Sequence, residues 1–125
     1  MVILNKVQAM LYRCCVKAVE SVYDEVPEDL VFPCVVIGDI GASKLECKDD
    51  IYRYSVMLNV FSIFNGKKEA NEIIENITKL LNECKNEEIE VNHTVDSVSF
   101  PTIKVAKTAD CYQGELLVEV DIFEL

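Results

Sequence analysis

The chain has 125 residues, of which 50% are hydrophobic and 27% are charged, and its formal net charge is −10. This length fits one domain spanning residues 1–125, and the composition excludes a disordered chain. The negative charge repels phosphate backbones and anionic lipid, so we expect no direct nucleic-acid binding and no membrane partner.

The cysteines indicate the redox state in which the protein is made. The sequence contains no Cys-x-x-Cys pair, and its first residues lack the basic start and apolar run of a signal peptide. We therefore expect free thiols in a cytoplasmic product. The six cysteines are Cys14, Cys15, Cys34, Cys47, Cys84 and Cys111.

The first predicted element is an amphipathic helix. Apolar residues recur at spacings of three and four from Ile3 to Val22. The helix should end between residues 21 and 24, because a β-branched and aromatic patch follows. The acidic segment 24–29, which contains Pro27, predicts a connecting loop.

Two strands are predicted next. Residues 32–40 form an apolar run with Pro33 at its start, and residues 41–50 are polar and predict a loop. Residues 51–64 alternate with period two, so we predict a long strand with one apolar face.

A second helix should follow this long strand. Asn65 is the expected N-cap, apolar residues recur at helical spacing to about Cys84, and Asn86 can adopt the left-handed conformation that ends a helix.

The rest of the chain predicts β-structure. Residues 88–92 predict a short strand, and residues 95–107 a longer one that Pro101 makes an edge strand or a bulged one. Residues 108–114 form a turn, and alternation resumes from Glu115. The expected fold is α+β, an antiparallel sheet of four to five strands with two helices packed on one face.

Candidate chemistry is sparse. His93 lies in a polar turn, where a surface position is the simplest interpretation, although a catalytic pair with Cys111 or Cys47 is conceivable. Glu119 and Asp121 share a strand face, for which we expect solvent exposure. Paired short spacings typical of metal ligands are absent. We expect no enzyme, no cofactor and no metal.

Several short motifs, in order and at matching spacing, resemble the tail-completion, or head-to-tail joining (neck), family of tailed bacteriophages. Cys34 stands where that family usually has tyrosine, and Phe61 where tryptophan is common. The resemblance spans nearly the whole chain. The motifs are Tyr23-Asp24-Glu25-Val26-Pro27, Pro33-Cys34-Val35-Val36-Ile37-Gly38, Phe61-Ser62, Gly66-Lys67-Lys68-Glu69-Ala70 and Tyr112-Gln113-Gly114.

This resemblance implies a structural virion protein of a phage or prophage, made in the bacterial cytoplasm. It implies assembly with itself into a hexameric ring at the neck, against tail-tube and head-connector proteins, as tail terminator or connector. A cyclic ring brings two different surfaces together. The residues that we expect at the subunit interface are Ser43, Lys44, Leu45, Met57, Phe61, Ile63, Thr108, Asp110 and Tyr112.

A second function class stays open from the sequence. A small ligand-binding or regulatory α+β domain without catalysis would have the same composition. It would expose a concave apolar pocket in place of a subunit interface.

Overall fold

The computed structural model describes residues 1–47, 49–64 and 66–125. It contains two helices, α1 (Leu4–Ala18) and α2 (Lys68–Asn82). The six strands are β1 (Ser21–Tyr23), β2 (Cys34–Lys44), β3 (Ile51–Ser62), β4 (Glu88–Glu90), β5 (His93–Lys107) and β6 (Tyr112–Glu124).

All six strands belong to one sheet in the order β1-β2-β3-β6-β5-β4. Strand β1 pairs with β2 in parallel, and the other neighbours are antiparallel. The α+β class is therefore confirmed, but the expected antiparallel sheet of four to five strands is wrong. The missed strand, β1, has only three residues, which is too short to show an alternating pattern, and it takes the residues in which we expected α1 to end.

Both helices contribute to one hydrophobic core with one face of the sheet. Alternate residues of the central strands, including Val56, Leu58 and Val118, belong to this core. The α1 residue Leu11 and the α2 residue Ile77 are buried against them. The hydrophobic periodicities read from the sequence therefore correspond to real buried faces.

Two glycines allow close approach in this packing. A Cβ atom on Gly114 of β6 would lie 2.6 Å from Cδ1 of Ile74, so α2 rests directly on the sheet there. A Cβ on Gly38 would lie 2.8 Å from the carbonyl oxygen of Met57, next to an irregularity between Ile37 and Ile40 of β2. Such approaches leave no room for a larger residue.

Several boundaries differ from the prediction. Strand β2 continues through Lys44, because residues 40–44 pair with β3, so the first four residues of the expected loop 41–50 are strand. Lys67 occupies the N-cap position of α2 without a side-chain cap, and the expected cap Asn65 lies outside the described residues. Asn86 has φ of 71°, which confirms its left-handed conformation.

Pro101 lies where we predicted an edge or a bulge, and both are confirmed. The β5–β6 register shifts between Ser99 and Thr102. Strand β4 pairs with β5 only near His93 and Thr94, so the rest of the outer edge of β5 has no neighbouring strand among the described residues.

Candidate assembly surface

The sheet face opposite the helices is partly exposed on β3 and β6, whereas Cys34 and Val36 of β2 are buried on the same face. Met57 and Leu117 lie directly opposite each other on β3 and β6, and both are partly exposed. Phe61 lies four residues after Met57 on the same face of β3 and is also partly exposed. This half of the face is mixed, because Nε2 of Gln113 donates to Oδ1 of Asn59 at 3.4 Å between the apolar side chains, and neither helix packs on it. Leu117 was not among the residues expected from the sequence.

The other half of this face carries an ion-pair cluster. Nε and Nη2 of Arg53 donate to the two carboxylate oxygens of Asp121 at 2.8 and 3.0 Å. Glu119 lies 3.1 Å from Arg53 Nε, and the hydroxyl of Ser97 donates to Asp121 at 3.1 Å. The hydrogen bonds and charge of Asp121 raise the pKa of Arg53.

The expected solvent exposure of Asp121 is wrong. Its residue is only 8% exposed, because the Arg53 fork covers its carboxylate. A sequence pattern shows that two residues share a strand face, but not that a cross-strand partner covers one of them. We assign the cluster a structural role in fixing the β3–β6 pair.

Eight of the nine predicted interface residues lie at one of two opposite ends of the sheet, and Met57 lies between these ends on β3. Ser43 and Lys44 end β2, with Leu45 beside them, and Lys44 pairs with Tyr52. Thr108 and Asp110 lie in the β5–β6 turn. Strand β3 separates the two ends, and its twelve residues span about 36 Å. We call these groups the β2 end (Ser43, Lys44, Leu45) and the β5–β6 turn (Thr108, Asp110, Tyr112).

Ile63 lies just beyond β3, not within it as expected. Its side chain is 63% exposed, and Phe64 beside it is also exposed. Ser62 of β3 pairs with Tyr112 of β6, so Phe61 and Ile63 lie at the same end of the sheet as the β5–β6 turn. The structure therefore brings together five of the nine predicted residues, separately from the β2 end and from Met57.

His93 is buried at the start of β5, so the expected surface position is wrong. Its Nδ1 donates to the carbonyl oxygen of Val91 at 2.7 Å. Its Nε2 lies 3.0 Å from a carboxylate oxygen of Glu124, although it is not aligned for a hydrogen bond. The imidazole ring thus lies between two oxygen atoms that can accept hydrogen bonds. The polar sequence around His93 does not indicate this burial.

Neither possible cysteine partner is hydrogen-bonded to His93. Cys111 is at the far end of the β5–β6 hairpin, and the thiol of Cys47 donates to the carbonyl oxygen of Asp49. Over residues 1–47, 49–64 and 66–125, we find no group of three or more side chains suited to holding a metal ion. No helix within these ranges is long and apolar enough to cross a membrane.

These features define an α+β protein in which a partly exposed sheet face lies opposite two packed helices. A family model described as Tail completion protein gp17 matches residues 7–116. The chain belongs to this phage tail-completion family, and we describe it as a structural virion protein on that basis.

One solved structure supports the fold. The chain resembles a component of a structure titled "Virion of native gene transfer agent (GTA) particle", with a TM-score of 0.70 and 16% sequence identity. The match covers 93% of each chain. Among curated proteins, none matches this sequence.

Proposed function

We propose that this protein forms a closed ring at the neck of a phage or prophage virion, where it joins the tail tube to the head connector without catalysing a reaction. Membership of the tail-completion family supports the location. The observation that carries the ring is the placement of the β2 end and the β5–β6 turn at opposite ends of the sheet. A cyclic assembly needs two such different, mutually accessible surfaces.

Each of the two surfaces presents an exposed charge, and the two charges are opposite in sign. Lys44 at the β2 end is exposed, and its local ion pair with Asp50 at 3.3 Å joins two exposed side chains. Asp110 in the β5–β6 turn is also exposed. An exposed pair of this kind contributes little energy alone, but it selects orientation. We assign Lys44 of one subunit to Asp110 of the next, with Phe61 and Ile63 supplying apolar area nearby.

Charge reversal tests this assignment directly. Lys44→Glu and Asp110→Lys should each reduce the fraction of rings in mass photometry, because each juxtaposes like charges. The double variant should restore rings. Lys79→Glu, on the exposed side of α2, is the matched control for the change in net charge and should leave the rings intact. Equal loss in the double variant would contradict the pairing.

The location requires a separate experiment. Gold-labelled antibody against the protein should mark one end of isolated tails and the neck of complete particles. Cells that produce a phage lacking the protein should accumulate separate heads and tails. Labelling along the whole tail would contradict a neck position while leaving ring formation in solution unaffected.

The alternative, a ligand-binding domain, calls for an apolar pocket. The structure has a cleft of about 560 Å³ beside α1. Its lining includes the polar or acidic residues Asn5, Gln8, Asp24 and Glu25. The other four lining residues, Ala9, Tyr12, Val22 and Tyr23, are apolar or aromatic, so the cleft is mixed in character. We favour the assembly function because the chain matches the tail-completion family model.

A further inference from the structure

Two buried cysteines from distant parts of the chain meet between the helices. Cys14 lies on the inner side of α1, and Cys84 lies in the turn after α2. Their Sγ atoms are 3.6 Å apart, although 70 residues separate them in sequence. Both are free thiols in the structure. Their contact is one of the places where α1 and the end of α2 touch.

A cleft provides small molecules with access to this pair. It has a volume of about 340 Å³ and includes both cysteines in its lining. Arg13 and Glu87 form an ion pair of 2.7 Å at its rim. The other lining residues are Lys17, Leu80 and Glu83. The rim is formed by exposed, flexible side chains, so the sulfur atoms are shielded but not enclosed.

We propose that Cys14 and Cys84 are an oxidative modification site, at which a peroxide converts the two thiols into a disulfide that joins α1 to the end of α2. One thiol is first oxidised by the peroxide to a sulfenic acid, with release of water for hydrogen peroxide. The second sulfur then attacks the sulfenic sulfur, the S–S bond forms, and a second water leaves. The sulfur atoms must approach from 3.6 Å to about 2.0 Å, so the link requires the turn after α2 to shift toward α1.

Burial keeps this site reduced while the protein is made. Desolvation raises the pKa of Cys14 to about 12, and the nearby Cys84 adds to the effect. The Cys14 thiol therefore remains protonated at neutral pH and reacts slowly, since the thiolate is the nucleophile. A reducing cytoplasm preserves the pair, and an oxidising environment outside the cell allows the link to form.

The crosslink would stabilise the fold strongly. It closes a long chain segment, which restricts the unfolded ensemble. We expect the melting temperature to rise by roughly 10 °C on oxidation and to return after treatment with dithiothreitol. This inference does not depend on ring formation, because both cysteines lie within one subunit.

The experiment treats the full chain with hydrogen peroxide, then blocks the remaining thiols and maps peptides without reduction. We expect one linked peptide pair containing Cys14 and Cys84, together with the rise in melting temperature. Cys84→Ser should abolish both. Cys15→Ser is the matched control, since Cys15 is equally buried on α1 but its thiol is not the one in contact with Cys84.

A different linkage would overturn the proposal. Cys34 and Cys111 are the main competitors, because Cys111 lies near enough to influence the pKa of Cys34. Mapping of the link to that pair, or oxidation of Cys14 to sulfinic acid without a link, would contradict the assignment. If Cys84→Ser fails to fold, Cys84→Ala replaces it. The peptide map of the unsubstituted chain also shows by itself whether Cys14 is linked to Cys84.

Discussion

The hydroxyl of Ser62 donates a hydrogen bond of 2.7 Å to the carboxylate of Glu69. Ser62 is the last residue of β3 and is fully buried, whereas Glu69 lies in the first turn of α2. The same hydroxyl accepts the backbone N–H of Phe64 at 3.2 Å. One serine therefore fixes both the chain reversal and the start of the helix. It gives a physical reason for two of the motifs that resemble the tail-completion family.

Replacing this serine should destabilise the fold. Ser62→Ala leaves the Phe64 N–H and the Glu69 carboxylate without their shared partner, so we expect a loss of about 1–2 kcal/mol in urea unfolding. Thr78→Ala is the matched control, because the Thr78 hydroxyl donates to the carbonyl oxygen of Glu75 on the exposed side of α2. An equal loss in both variants would show that the Ser62 contact has no special importance.

Gly114 should tolerate no side chain unless Ile74 is shortened. Gly114→Ala places a Cβ 2.6 Å from Cδ1 of Ile74, and we expect a loss of about 1–3 kcal/mol from overpacking. Ile74→Val removes that methyl group, so the double variant should be more stable than the sum of the single effects predicts. Gly41→Ala is the control, since its added Cβ has no neighbour within 4 Å. Strict additivity would contradict this packing.

Glu124 should contribute to stability except at low pH. Its hydrogen bond with the N-terminal ammonium lowers its pKa below the ordinary value of 4.5, and the charge of His93 lowers it further. A lowered pKa stabilises the fold above about pH 4.5, and the contribution is lost as the pH falls through the folded-state value.

The test compares Glu124→Gln with the unmodified protein by urea unfolding from about pH 7 to about pH 3. The variant should be less stable at neutral pH, and the two proteins should converge in acid. Glu75→Gln, on the exposed side of α2, should follow the unmodified protein throughout. A gap that stays constant down to pH 3 would contradict the ionic origin.

Ile63 offers a test of the apolar part of the assembly surface. Ile63→Asp should leave the subunit folded, because the side chain is 63% exposed, and should dissociate rings in sedimentation. Val16→Asp is the control, because Val16 is an exposed apolar residue of α1, away from both proposed interface surfaces. Rings that survive Ile63→Asp, or that are lost equally in Val16→Asp, would remove Ile63 from the interface.

The sequence predicted the elements whose side chains repeat over many residues. Both helices, the long strand β3 and the bulge at Pro101 follow from periodicity and from the missing N–H of proline. Strand β1 was missed because three residues carry no period. The extension of β2 to Lys44 was missed because the residues there are glycine and mainly polar. They pair through backbone hydrogen bonds, which leave no pattern in the side chains.

The candidate site was less accessible to sequence reasoning. The burial of His93 and Asp121 depends on Glu124 and Arg53, which approach from other strands. The Cys14–Cys84 contact likewise depends on the packing of two helices. Such pairings are set by tertiary structure, so a single sequence gives their residue types but not their partners.

The bulge at Pro101 also bears on solubility. The outer edge of β5 would otherwise offer a long ladder of free backbone groups to any extended chain, including another copy of itself. Proline supplies no N–H, and the register shift between Ser99 and Thr102 breaks the regular spacing on which a second ladder depends. Uncontrolled fibre growth along this strand is therefore disfavoured, and a crowded cell can accumulate many subunits without aggregation through that edge.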